Sequence, residues 1–399
     1  MWIEETRKTK VAGEYDVAVC GGGFAGISAA LASARQGRRT VLFEKQFLLG
    51  GLGTLGIVTI YLPLCDGLGH QVSFGIAEEL LRLSIRHGAE AKYPENWLTE
   101  NGGRGAGDKR FEVQYNPHLF AILAERLLLD AGVEILYGTY AVGVSMEGDR
   151  IGYLITENKS GRAAYRVRSV VDATGDCDIA AFAGAPTDRF RQGNVLAAWY
   201  YSYGKQGYRL NMLGACDLPE AEKAKGTPNK HLIDERFSGL DGEELSRQVC
   251  LSHRSTYLDF LKKRQEDPTF LPVTVATIPQ IRMTRKLVGE YVLREDEMHR
   301  SFEDSIGMVS NWKQRGPIYE VPFRTLYSSK VKNLISAGRC ISVNETLWDV
   351  MRVIPCCAVT GQAAGTAAAM TDDFSALNVK ELQAVLLANG VVLHESDVL

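Results

Sequence analysis

The chain has 399 residues, 45% of them hydrophobic, with a formal net charge of -3 and a pI near 6.2. That is apolar material for one large core or two linked ones, which excludes a disordered chain. A near-neutral balance leaves no electrostatic footprint for nucleic acid or an anionic membrane, so the expected partner is a small-molecule substrate, with no nucleic acid and no membrane.

Residues Tyr15 to Cys20 read as a short buried strand, followed by the turn Gly21-Gly22-Gly23-Phe24-Ala25-Gly26 and an Ala-rich helix from Ala25 to Gln36. Thr40 to Phe43 is the next strand, closed by Glu44, so the segment is one βαβ unit. Each residue of the turn has a task. Gly21 allows a tight exit from the strand, Gly23 lets the backbone approach a pyrophosphate, and Gly26 permits close packing of helix on sheet. The free N–H groups at the helix start favour negative phosphates. Glu44 stands where its carboxylate would accept hydrogen bonds from ribose hydroxyls, and it would repel a 2′-phosphate. At this point FAD and NAD are both open.

Gly50 to Gly56 is a second glycine-rich stretch, and Gly75 to His87 has helical spacing. Pro94 to Lys109 is polar and rich in Gly and Asn, which predicts an exposed loop. A helix begins at Asn116 with Pro117 in its first position, and Val133 to Leu136 returns as a strand. Ala141 to Val144, Ile151 to Glu157 and Ala164 to Val167 read as three antiparallel strands. Val170-Val171 then forms a separate buried strand opening into Asp172-Ala173-Thr174-Gly175. Beyond Pro186, helical spacing covers Glu243 to Lys263, and strands are expected at Val273 to Ala276 and Gly289 to Leu293. Leu334 to Gly338 is a short buried strand, and Val353 to Met370 is a long Ala-rich helix.

Eight cysteines are spread over the chain without CxxC spacing. This suits reduced thiols in a cytoplasmic protein better than a disulfide scaffold, a metal site or an iron–sulfur cluster. The charged N-terminus does not read as a signal peptide, and no apolar run is long enough to cross a bilayer.

Five blocks together resemble the FAD-dependent oxidoreductases of the two-dinucleotide-binding, glutathione-reductase-like fold, the group that includes heterodisulfide reductase flavin subunits. They are Val19 to Gly26 with Glu44-Lys45, Gly50-Gly51-Leu52-Gly53-Thr54, Val171 to Asp176, Arg282 to Tyr291, and Asn333 to Arg339 with Arg352 to Ala367. The resemblance implies an α/β fold: a Rossmann-like FAD-binding domain, with a central parallel sheet and a three-stranded antiparallel meander, and an inserted α+β substrate domain. The FAD domain would comprise residues 1–51, 113–185 and 329–399, and the inserted domain 52–112 and 186–328.

The resemblance also implies FAD as cofactor and a set of binding residues. Gly21, Gly23, Phe24, Ala25, Gly26, Glu44 and Lys45 come from the first block, and Gly50, Gly51 and Thr54 would approach the flavin. Ala173, Thr174 and Gly175 would line the adenosine and pyrophosphate path, with Asp176 orienting the turn, and Ala141 would also contact the cofactor. Gly338 and Arg339 would pass the pyrophosphate and ribityl, and Val353 and Ile354 would open the last helix toward the flavin pyrimidine, where its dipole favours the negative charge formed on reduction.

A flavin carries the electron chemistry, so the protein must place a substrate and manage protons. Arg352, just before the last helix, is a candidate for holding an anion, with a structural ion pair as the alternative. Arg282 and Arg285 either bind a carboxylate or phosphate or knit two domains together. His70 is an acid/base candidate, and Cys65 is either a thiolate near the flavin, for charge transfer or disulfide exchange, or a buried small hydrophobe, the reading favoured because no second cysteine stands at redox spacing. No second GxGxxG follows, so the separate NAD(P)H domain of the disulfide reductases is missing. The expected activity is hydride transfer between the flavin and a small organic substrate; the alternative is an electron-transfer flavoprotein acting with a protein partner. A homo-oligomer or a redox partner protein stays open.

Overall fold

The computed structural model describes residues 3–88, 112–214 and 231–398. The loop expected at Pro94 to Lys109 lies outside the described residues. The chain opens with β1 (Lys10–Cys20), α1 (Phe24–Arg35) and β2 (Thr40–Phe43), the expected βαβ unit. Next come β3 (Ile60–Tyr61), α2 (Ile76–Ile85), β4 (Val113–Gln114), α3 (Pro117–Asp130) and β5 (Glu134–Leu136). Asn116 caps α3, its side chain accepting from the backbone N–H of His118 and Leu119, with Pro117 at the first helical position. The meander is β6 (Tyr140–Glu147), β7 (Arg150–Asn158) and β8 (Gly161–Asp172).

The main sheet runs β5-β2-β1-β8-β7-β6. Pairings from β5 to β8 are parallel and those from β8 to β6 antiparallel. The two strands expected at Ala164 to Val167 and Val170-Val171 are one. Strand β8 pairs β1 along its length, while its first half also pairs β7 and its second half pairs a late strand. The interruption read at Arg168-Ser169 is no break, because the buried Ser169 hydroxyl donates to Thr371 O at 2.7 Å.

After β8 the chain forms α4 (Asp178–Phe182), β9 (Thr187–Arg189), β10 (Tyr200–Gly204), β11 (Gly207–Asn211), α5 (Gly242–Glu266) and β12 (Leu271–Val275). Strands β11-β10-β12 make a separate antiparallel sheet. Then come β13 (Arg285–Leu287), paired with β9, and the antiparallel pair β14 (Ser305–Ser310) and β15 (Ile318–Pro322). The strand expected at Gly289 to Leu293 does not form. There is no room beside Gly289, where a Cβ would lie 2.9 Å from both Arg324 O and Tyr327 O, and the N–H groups of Glu290 and Tyr291 turn to those same carbonyls.

The chain returns through β16 (Leu334–Ser336), which joins β8 in parallel, and ends with α6 (Glu345–Met351), α7 (Ile354–Met370) and α8 (Val379–Ala388). The alternation of strand side chains places one core on each sheet face. Val17, Val19, Leu42, Val171 and Ile335 face the helical layer, whereas Ala18, Cys20, Val41, Phe43 and Val170 face the other side. No single helix among the described residues is long and apolar enough to cross a bilayer. The α6–α7 pair has the combined length and composition but bends by 88° between its halves, and α7 is buried along nearly its whole length.

The α/β architecture therefore matches the expectation: a mostly parallel central sheet extended by an antiparallel meander.

Candidate functional site

Parallel pairing puts Cys20, Phe43, Asp172 and Ser336 at one edge of the sheet, where their strands all end. In open α/β sheets this carboxyl edge is where ligands bind. Four stretches of chain leave the sheet here, and hydrogen bonds tie them to one another.

Within the glycine turn, Gly21 and Gly26 are tightly packed and Gly23 is open. Gly21 has φ +102°, and a Cβ there would lie 2.4 Å from Ala173 O; one on Gly26 would lie 1.8 Å from Gly21 O. Both positions therefore require glycine for packing. A Cβ on Gly23 would meet nothing within 4 Å, and α1 has no side-chain cap at that residue. The helix thus presents uncapped N–H groups and the positive end of its dipole to open space beside a bare backbone, which suits a pyrophosphate.

Phe24 points the other way, stacked on Phe120 with ring centroids 4.7 Å apart, so only its backbone is available to a ligand. Glu44 is buried; one carboxylate oxygen accepts from Gly22 N at 2.6 Å and the other from Gln46 N at 2.7 Å. Burial raises its pKa, and the N–H groups of Gln46 and Gly22 oppose the rise. Glu44 therefore locks the turn to the end of β2, and each of its oxygens retains a second lone pair. Lys45 beside it is exposed.

The second glycine stretch lies against the first. Gly50 N donates to Gly22 O at 2.7 Å, and a Cβ on Gly51 would come within 3.3 Å of Gly23 Cα. Thr54 folds back, its hydroxyl donating to Leu49 O, so its side chain shapes the loop. Ala141 is half-buried at the start of β6.

The turn after β8 is held by Asp172 rather than by Asp176. One Asp172 oxygen accepts from Thr174 N (3.1 Å) and Oγ1 (2.7 Å), and the other from Ala180 N (3.0 Å). Asp176 instead reaches across, accepting from Thr284 Oγ1 and from Arg339 Nη2, each at 2.9 Å. A Cβ on Gly175 would strike the Arg339 guanidinium. Arg285 donates to Asp178 Oδ1 at 2.7 Å and to Asp176 O at 2.9 Å, which makes it a tie between β13 and this turn.

Burial, with Asp176 and Asp172 nearby, pushes the Asp178 carboxyl up to about 6 against the pull of Arg285 and Lys45. An unfolded aspartate ionises near ~4. This carboxyl therefore favours the folded state fully below that pH, and the contribution is lost as pH rises through about 6. Urea unfolding of wild type and Asp178→Asn at about pH 4.5 and about pH 7 is expected to show wild type losing ground to the variant on going to neutral pH. A pH-independent gap would refute the assignment.

Helices α1 and α7 run parallel in close contact. A Cβ on Gly361 would lie 2.3 Å from Ala25 O, and one on Gly365 2.1 Å from Ala29 O. Gly338 sits under the pair, 2.8 Å from Ala25 Cβ by the same measure. With Gly361 opposite Ala25, α7 begins about six residues earlier along the shared axis than α1, so its N-terminus projects ~9 Å further at ~1.5 Å per residue. That end, at Val353 and Ile354, has no side-chain cap. Two positive helix ends are thus staggered along one edge of the sheet.

Beside the α7 terminus, Arg352 is bound to Asp349, a carboxylate only 1% exposed that also takes Lys313 Nζ at 2.7 Å. His70 stands apart in sequence, its Nδ1 2.9 Å from Asp66 Oδ2. Asp66 is buried, and its other oxygen accepts from the N–H groups of Leu68, Gly69 and His70. Burial alone would raise Asp66, but the His70 ring and these N–H groups outweigh it and hold the carboxyl below its usual range. The ring is half open to solvent, its Nδ1 directed by a fixed carboxylate as in acid/base sites. Cys65 is buried.

The sequence reading missed Asp66, Asp349, Lys313 and Asp172 as partners. For Asp66–His70 and Asp349–Arg352 the signal was present, as spacings of four and three residues.

The sequence profile of the family described as FAD dependent oxidoreductase matches residues 16–197 and 241–386, well over half of the chain. No curated protein matches it. Solved structures similar to the chain include THI4 of Thermovibrio ammonificans (19% identity, 45% of this chain and 66% of that one, TM-score 0.32). Others are a geranylgeranyl bacteriochlorophyll reductase-like protein of Thermoplasma acidophilum (13%, 94% and 84%, 0.44) and the myxobacterial chondrochloren halogenase CndH (15%, 94% and 78%, 0.46). The chain spans just under two thirds of THI4, and at these scores none of the three indicates a shared substrate or reaction. The extent of the family match, over an edge built of glycine turns and uncapped helix ends, makes the chain a member of the FAD dependent oxidoreductase family, an enzyme with FAD as its cofactor.

Proposed function

We propose that the enzyme transfers hydride between FAD and a small organic substrate, and that the carboxyl edge of the main sheet is where it does so. The observation that carries this reading is the stagger of α1 and α7, whose uncapped N-termini offer one positive end to a pyrophosphate and a second, ~9 Å further on, to the flavin pyrimidine.

In this reading the backbone of Gly21, Gly23, Phe24, Ala25 and Gly26 holds the pyrophosphate, and Glu44 with Lys45 takes the ribose. Ala141, Ala173, Thr174, Gly175 and Asp176 flank the adenosine side. Gly338 and Arg339 follow the ribityl chain, and Gly50, Gly51 and Thr54 shape the wall by the flavin. Bound FAD supplies two-electron chemistry.

The first-turn N–H groups of α7 after Val353, Pro355 excepted, stabilise negative charge on the pyrimidine, and Arg352, held by Asp349, adds to that field. His70 holds or releases a proton at Nε2 while Asp66 fixes its Nδ1. Arg285 serves as the tie that keeps the 176–178 turn in place. Residues 52–112 and 186–328 form the inserted substrate domain. Kinship with the heterodisulfide reductase flavin subunits within the two-dinucleotide-binding fold belongs to the same proposal and rests on the five sequence blocks.

Anaerobic titration of the purified holoprotein with a metabolite panel tests the reading. Bleaching of the flavin by a small organic compound, or reoxidation of reduced flavin by one, is the expected result. Reduction only by a protein electron carrier would overturn it in favour of an electron-transfer role.

A further inference from the structure

Three arginines come together where the 282–285 block meets the carboxyl edge, and two of them have carboxylate partners. Arg285 pairs with Asp178 and Arg339 with Asp176. Arg282 has none among the described residues, yet it is 4% exposed. Its Nε and Nη2 are both buried without a hydrogen-bond partner. These two nitrogens form the side edge of the guanidinium, whose parallel N–H bonds match the two oxygens of a carboxylate.

The Arg282 Cζ lies over the ring of Trp199, 4.7 Å from its centroid, and Trp199 is itself 7% exposed with Nε1 buried and unpartnered. A cation and an indole N–H, both donors only, are thus packed together, and Arg282 Nε, Arg282 Nη2 and Trp199 Nε1 have no acceptor among the described residues. Burying donors, one of them on a charged group, without an acceptor is costly, and a bound carboxylate would offset that cost.

The backbone around this pair is fixed. Asn194 Oδ1 accepts from the N–H groups of Arg282 and Met283, while Gln280 bridges Trp199 N (2.8 Å) and Gly56 O (2.6 Å). Through Gly56 the pair is joined to the second glycine stretch, which touches the glycine turn. It therefore borders the cofactor region without belonging to either turn.

The match to the family profile stops at residue 197 and resumes at 241, so Arg282 lies within a matched stretch and Trp199 between the two.

We propose that Arg282 Nε and Nη2, with Trp199 Nε1, bind a carboxylate of the substrate, which is therefore an organic acid. The proposal rests on the oxidoreductase reading above and names the substrate class of that site. Since the donors are shielded from bulk water, the acid would be recognised in a low-dielectric setting, where losing its charge or the fork is most costly.

The test is calorimetric titration of the FAD-loaded protein with sodium acetate, benzoate and succinate, using acetamide, benzamide and succinamide as uncharged counterparts. At least one carboxylate is expected to bind, with its amide about tenfold or more weaker. Arg282→Gln should weaken that carboxylate about tenfold or more, and Trp199→Phe by a smaller factor, both with unchanged FAD content. Three results overturn the proposal: no carboxylate binds, Arg282→Gln binds it as well as wild type, or folded Arg282→Gln purifies without FAD, which would give the donors to the cofactor. If Arg282→Gln does not fold, Arg282→Lys and Trp199→Phe decide, since each must weaken the carboxylate while leaving the amide unaffected. Binding is read without turnover, so a metabolite panel that fails to bleach the flavin counts against the hydride-transfer reading alone.

Discussion

Gly23→Val is expected to give a folded protein that has lost FAD, whereas Gly26→Ala fails to fold. The two positions lie three residues apart in one turn, and their surroundings set them apart. Gly23 has φ -71° and ψ -179°, a conformation any residue adopts, with open space where its Cβ would stand. A valine there costs the fold little and occupies the place where a pyrophosphate would meet the backbone. Overpacking of about 1–3 kcal/mol against the ligand corresponds to about five- to 150-fold weaker FAD binding. At Gly26 the added methyl would lie 1.8 Å from Gly21 O, a backbone atom that cannot step aside without opening the turn. That costs about 3 kcal/mol or more of stability. Absorbance of released flavin per chain, together with circular dichroism and urea unfolding, separates the outcomes. Full flavin content in Gly23→Val would place the cofactor elsewhere.

The second large effect is expected at Asp349. Its carboxylate is buried between Lys313 and Arg352, and Trp312 Nε1 donates to its backbone carbonyl at 3.1 Å. Asp349→Asn removes the buried carboxylate charge that both Lys313 and Arg352 contact, a loss of about 3–5 kcal/mol in stability near neutral pH. The pH dependence has a definite sign. Burial raises the Asp349 pKa, but Arg352 and Lys313 outweigh it and hold the carboxyl below its ordinary value. A depressed pKa contributes stability that is present above the unfolded value of ~4 and lost as pH falls through the folded one. The gap between wild type and Asp349→Asn in urea unfolding should therefore be constant from about pH 5 to 8 and close only below about pH 4. A gap already closed at pH 6 would show that the ion pairs do not hold Asp349 in the folded protein.

Much of this was legible in the sequence because it is local. The glycine spacing, the acid at the end of β2 and the Ala-rich run of α7 each impose a steric or periodic pattern within one short window, and the structure has β1, α1, β2 and α7 close to where those windows put them. What escaped were features decided by partners far along the chain. Arg168-Ser169 read as a gap between two strands, because the acceptor that satisfies the buried Ser169 hydroxyl is Thr371 O, some two hundred residues away. Gly289 to Leu293 carried strand-like residues but lies against the carbonyls of Arg324 and Tyr327, which take its N–H groups out of any ladder. The same holds for the arginines. Arg282 and Arg285 were equivalent in sequence, and only the fold shows that one has an aspartate and the other an indole.

The central claim, that FAD occupies the carboxyl edge beneath the ends of α1 and α7, is tested most directly by flavin stoichiometry in a matched pair of proteins. Wild type released by heat is expected to yield one FAD per chain, and folded Gly23→Val little or none. A colourless wild type that yields no FAD, or equal FAD from both proteins, would contradict it.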